Sequence, residues 1–189
     1  MITKNENNGI FKKKLNPREY AGWIENEKKG LKVRRQQASY FYELQYQPLE
    51  YLVVIQERTE KIQKKVLKEE LEKRGEFLYF TFKMSTEKGT GILSDKEIQF
   101  EDKDRYLLSK MQDDLMLLDG KDTLDCVMFY FEPSNNLIPY DQCVLAFEKP
   151  QRTKNDITFL YRTDKYLKGW VRMEIKRKNI NKIPSLKTI

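Results

Sequence analysis

Catalysis near neutral pH is usually built on histidine, and the 189 residues contain none. Its absence removes the commonest general base, the Ser-His and Cys-His dyads, and the commonest metal ligand. Two cysteines without histidine do not make an ordinary zinc site, so no metal and no cofactor is expected. The eight glycines are scattered, and Gly89-Thr-Gly91 is too short for a phosphate loop. Carboxylates are what remains. The turn Asp119-Gly-Lys-Asp122-Thr-Leu-Asp125 has ligand-like spacing. It lacks the Asp-x-Asp-x-Asp-Gly order and the closing Glu of a calcium loop, and reads as a hairpin turn. Glu43 and Glu132 are strand acids among aromatics, the residue types of a glycoside-cleaving site, whose required spacing is spatial. A carboxylate-dependent carbohydrate-active enzyme is therefore an alternative, although 29 acidic residues make such coincidences common. No catalytic residue is assigned.

The elements that would position such groups follow from patterning. Asn16 is a fitting N-cap, Pro17 suits the first helical position, and Glu19 completes a capping box. Leu15 and Tyr20 fit a hydrophobic staple, and Gly30 ends the segment. Ser39 to Gln47 alternates, with Tyr40, Tyr42, Leu44 and Tyr46 on one side, which predicts a strand. Pro48 to Arg74 predicts one long helix, with Leu52, Ile55, Ile62 and Val66 on its stripe. Four acid-first pairs, Glu57–Lys61, Glu60–Lys64, Glu69–Lys73 and Glu70–Arg74, line its outer face. Trp23 and the tyrosine face are expected to be core beneath that helix, although the tyrosines beside the basic run Lys28, Lys29, Lys32, Arg34 and Arg35 could also stack bases.

Phe77 to Met84 predicts a strand. Ser94 with Glu97 suggests a short capped helix, and Asp102 to Met111 another. Strands then follow at about 114–118, 125–132, 142–148, 156–162 and 169–176. The stretch from Leu115 to Glu132, continued by Cys143 to Phe147, reads as the centre of the sheet. A two-residue turn at Ser134-Asn135 would make Cys126 and Cys143 direct cross-strand partners, with Pro139 a reason for the register to slip. The expected class is α+β: one mainly antiparallel sheet with N-terminal and central helices packed on one face.

Charge is placed at the ends. The net charge is +7, yet residues 1–15 carry four lysines against one glutamate, and 176–189 carry four lysines and one arginine with no acid. The middle is close to neutral. This predicts mobile basic tails at 1–14 and 179–189 around a single domain, 15–178. Lys12, Lys13, Lys14, Lys176, Arg177 and Lys178 become the candidate binding residues, for nucleic acid or an anionic lipid surface. No apolar run is long enough to span a bilayer.

Three phrases, Leu15-Asn-Pro-Arg-Glu-Tyr20 with Trp23, Leu44-Gln-Tyr-Gln-Pro-Leu-Glu-Tyr51, and Asp119-Gly-Lys-Asp-Thr-Leu-Asp-Cys-Val127, resemble a family of small lipoproteins of Bacteroidota-type bacteria. The resemblance implies an envelope-facing domain tethered through an N-terminal lipidated cysteine. No cysteine precedes Cys126 in this sequence, and the chain lacks a signal-peptide core at its start. Without such a leader the chain would be cytoplasmic. The resulting expectation is a non-enzymatic accessory or interaction protein with a protein partner, envelope-associated if a signal has been trimmed.

Overall fold

Alternating aromatic and polar residues in the strands do more than mark a sheet: they close it. The computed structural model describes residues 12–96, 98–150 and 155–189. Its strands are β1 (Lys14–Leu15), β2 (Lys32–Gln37), β3 (Tyr40–Gln47), β4 (Phe77–Thr86) and β5 (Leu115–Asp119), then β6 (Asp122–Glu132), β7 (Asp141–Glu148), β8 (Ile157–Arg162), β9 (Trp170–Ile175) and β10 (Ser185–Leu186). Eight form one antiparallel sheet in the order β2-β3-β4-β7-β6-β5-β8-β9. β5, β6 and β7 are consecutive neighbours and β8 returns beside β5, a Greek-key arrangement. The two end strands, β2 and β9, lie alongside each other, so the sheet is nearly a closed barrel.

One face of every strand of this sheet lines a common interior. Tyr42 and Leu44 meet Phe80, Phe82 and Met84, then Leu145 and Phe147, Phe159 and Tyr161, and Val171, Met173 and Ile175. The Phe82 ring centre is 4.9 Å from that of Phe159 and 5.6 Å from that of Tyr161. Ring pairs of this kind add roughly 0.5–1.5 kcal/mol each beyond area burial. Eight strands enclose just enough room for side chains to fill. Ile92, Ile98, Tyr106, Leu107 and Met111, from the connection between β4 and β5, join the same core.

The expected α+β arrangement is therefore overturned. The fold is mostly β, and its principal core lies within the curled sheet instead of beneath a helix layer. The helices are too short to roof such a sheet: α1 (Pro17–Glu25), α2 (Leu49–Glu57), α3 (Lys64–Arg74), α4 (Lys103–Arg105) and α5 (Arg177–Asn181). The predicted helix 48–74 is two helices. Arg58 turns left-handed at φ 51°, and Ile62 leaves the helical path to bridge Thr188. The pairs Glu57–Lys61 and Glu60–Lys64 are lost with that turn, whereas Glu70 meets Arg74 at 2.5 Å within α3.

A second, smaller core seats these helices outside the barrel. Tyr20 and Ile24 of α1 pack with Tyr51, Val53 and Val54 of α2, and with Leu15, Leu31, Ile62, Ile183 and Leu186. The α1 entry follows its sequence signals: Glu19 N–H donates to Asn16 Oδ1 at 2.9 Å and Asn16 N–H to Glu19 Oε2 at 3.2 Å. Trp23 is only half-buried, its ring 5.3 Å from Lys29 Nζ, so Tyr20 and Ile24 anchor the helix. The expected loose tail 179–189 is instead docked. β10 pairs in parallel with β1, Ile183 and Leu186 are buried, and Lys64 N–H donates to the Ile189 carbonyl at 2.8 Å. Of the expected N-terminal tail, residues 1–11 lie outside the described residues, as does Glu97.

The Asp119-Gly-Lys-Asp122 turn is the two-residue hairpin its sequence predicts, with Asp119 opposite Asp122 and Gly120 at φ 69°. The β6–β7 connection differs from expectation. Cys143 pairs with Phe131, and Cys126 pairs with Phe147 beyond a bulge. The cause is Asp141, fully buried, whose carboxylate accepts the N–H of Ser134 and of Leu93 at 2.8 Å each. Those bonds hold 133–140 as a wide loop in place of a tight turn. Both cysteines face the core as free thiols, but four residues of strand, about 13 Å, separate their registers.

Candidate functional site

Because β2, β3, β4, β7 and β6 bury one parity, their other parity forms a continuous outer face. The ladder sets Arg34 beside Glu43, Glu43 beside Lys83, Lys83 beside Gln142, and Gln142 beside Glu132. Glu43 is the hub. Arg34 Nε donates to its Oε2 at 2.7 Å, and Lys83 Nζ and Lys32 Nζ lie 3.5 and 3.8 Å from its Oε1. Burial acts to raise the Glu43 pKa. The Arg34 hydrogen bond and the Lys32 and Lys83 charges outweigh it and hold the carboxyl below its ordinary range.

Around this hub is an open cleft of about 540 Å³, walled by Phe41 and Tyr140 and edged by Lys32, Arg34 and Lys83. Lys83 Nζ sits 4.3 Å from the Tyr140 ring centre. Three cations stand against one carboxylate; Arg35, opposite Tyr42 in the ladder, belongs to the other face of the strand. Beyond the cleft the same face carries Met128 and Tyr130, and the neighbouring loop carries Leu137 and Ile138, all exposed. Tyr130 is 62% exposed, a large apolar body left in water on a strand whose opposite side is core.

This geometry does not fit Glu43 and Glu132 to glycoside chemistry. Glu43 and Glu132 share the outer face, yet three strand spacings separate them, about 14 Å. Glycoside chemistry needs roughly 5–9.5 Å. Glu43 is also held ionised by cations, the reverse of what a general acid requires. The acidic turn is no better. Asp119 is 1% exposed and accepts a 2.9 Å bond from Arg177 Nη2, and among the described residues no three acids or cysteines converge as metal ligands. Burial pushes the Cys126 thiol up to about 12 and the Cys143 thiol well above its ordinary value, so neither is a nucleophile.

Of the tyrosines expected to be core, Tyr42 is core of the barrel, while Tyr40 and Tyr46 are half-buried against it. Tyr42 is buried and its hydroxyl is 3.1 Å from that of Tyr166. A polar cluster that the sequence did not reveal lies nearby: Tyr106 and Asp114 are buried, Tyr106 donates to Asp114 Oδ2 at 2.8 Å, and the exposed Arg162 forks onto Asp114 Oδ1, with Nε at 2.7 Å. These partners lie far apart in sequence, and only the β5–β8 pairing brings Arg162 to Asp114.

The six basic candidates separate into two groups. Arg177 is buried against Asp119, and Lys176 is engaged by Asp156 at 3.1 Å and by Glu174. Arg177 is structural, and Lys176 is an exposed cation already paired with acids. Lys12, Lys13, Lys14 and Lys178 are exposed and make no ion pair with an acid among the described residues. Lys14 lies opposite Ser185 in the β1–β10 ladder, so the two basic ends of the sequence meet.

No protein-family model matches this chain, and no curated protein or solved structure matches it. The resemblance to envelope lipoproteins gains no support from these comparisons.

Proposed function

We propose that this chain is a non-enzymatic interaction protein whose cleft on the outer face of β2, β3 and β4 takes an acidic, partly apolar segment of a partner protein. The observation that carries the reading is the cleft itself: three cations around one carboxylate, between Phe41 and Tyr140. A partner carboxylate would meet Lys32, Arg34 and Lys83, whose three charges exceed that of Glu43, and an adjacent apolar side chain would lie against the two rings. The exposed Tyr130 and Met128 extend the contact to the size of a real interface, since aromatic anchors dominate binding energy. The interior is filled by side chains, which leaves the surface as the place of recognition. The bacterial envelope setting is taken from the resemblance alone.

A displayed random-peptide library selected against the full chain tests this. Enriched peptides should place Asp or Glu beside an aromatic or aliphatic residue. Their affinity should fall at least about tenfold on Arg34→Glu and on Tyr140→Ala, with urea unfolding showing that each variant folds. Peptides without acidic residues, or indifferent to both substitutions, would overturn the reading.

A further inference from the structure

The proposed protein-binding cleft leaves the joined chain ends unexplained. Both ends are basic in sequence, and the parallel ladder fuses them: Ser185 N–H donates to the Lys13 carbonyl at 3.0 Å and Lys187 N–H to the Leu15 carbonyl at 2.7 Å. Leu15 and Leu186 turn inward and are buried, while Lys12, Lys13, Lys14 and Lys187 are exposed. None of the four pairs with an acid among the described residues. A ribbon of unneutralised lysines is the result.

Beside it runs an apolar groove of about 400 Å³, floored by Leu67, Leu71, Phe77, Ile180 and Ile183 and bordered by Lys12 and Lys149. Leu71 is 42% exposed. Glu50 is the one acid on its lining.

We infer that the ribbon and groove together bind the surface of an anionic bilayer. The lysines meet lipid phosphates and the groove accepts part of an acyl chain, the pairing of basic and apolar surface that holds peripheral proteins at membranes. Nucleic acid is the other polyanion to consider. It would call for an array of exposed aromatic stacking surfaces, and the groove is largely aliphatic, with Tyr46 and Phe77 its two half-buried rings.

Each lysine close to an anionic membrane strengthens binding about fivefold, so reversing three at once should weaken it at least a hundredfold. The full chain is co-sedimented with vesicles of phosphatidylcholine alone or containing phosphatidylglycerol, at low and high salt. The expected result is binding to the anionic vesicles only, weakened by salt. Binding is lost in the Lys12→Glu/Lys14→Glu/Lys187→Glu protein and reduced several-fold by Leu71→Asp, with urea unfolding showing that each variant folds. Arg34→Glu should leave vesicle binding intact, which separates this site from the protein-binding cleft. Equal binding to neutral vesicles, binding unaffected by the triple reversal, or tighter binding to single-stranded DNA than to anionic vesicles would overturn the inference. So would loss of vesicle binding on Arg34→Glu.

Discussion

Removing the guanidinium of Arg177 should destabilise the protein by a large fraction of its total stability. Arg177 Nη2 reaches Asp119 Oδ2 at 2.9 Å, and its Nε donates to the Asn155 carbonyl at 2.8 Å. The Asn155 N–H donates in turn to Asp119 Oδ1 at 3.1 Å. Asp119 is 1% exposed, so Arg177→Met leaves a buried carboxylate with a single backbone donor. Breaking one side of such a pair costs about 3–5 kcal/mol, against a total of roughly 5–15 kcal/mol for a domain. With a urea m-value of about 2 kcal/mol/M, the unfolding midpoint should fall by about 1.5–2.5 M. Replacing both partners, Arg177→Met with Asp119→Leu, should recover much of the loss because no charge is then stranded. The assay is urea unfolding followed by circular dichroism. A midpoint shift below about 0.5 M would mean that Asp119 finds water, and the docked C-terminal segment would have to be abandoned.

Glu43→Gln should destabilise the protein at pH 7 and cease to matter in acid. The folded carboxyl titrates below its ordinary value of 4.5, so the stabilisation is present above that value and is lost as pH falls through the lower folded one. A penalty that persists unchanged at pH 2–3 in chemical unfolding would assign the effect to packing. Cys126 and Cys143 should resist thiol reagents in the folded protein at pH 8 and both react on unfolding without reductant. Rapid labelling of the folded chain, or no thiol on unfolding, would contradict their buried and unbonded placement.

Much of the local structure was legible because its causes are local. The capping box at Asn16 and Glu19 needs only four residues to form, and Asp119-Gly-Lys-Asp122 dictates its own turn. Alternation placed the later strands to within a few residues, and β2 was missed because its basic run hides a strand under charge. The absence of histidine chemistry was equally plain. The candidate lysines could be named but not sorted, since nothing near Arg177 in sequence announces Asp119, 58 residues away.

Other outcomes depended on groups that meet only in the folded chain. Ile62 obeys the helical stripe, yet burial against the C-terminal segment draws it out of the helix, with no glycine or proline to mark the break. Two backbone donors on the buried Asp141 widened the β6–β7 loop and set Cys126 apart from Cys143. A strand pattern states that one face is apolar but not what will cover it. Here the rings were large enough, and the strands numerous enough, for the sheet to cover itself. That closure decided the rest: it filled the interior, turned Arg34, Glu43 and Lys83 into one outward row, and left the chain ends to pair outside the barrel.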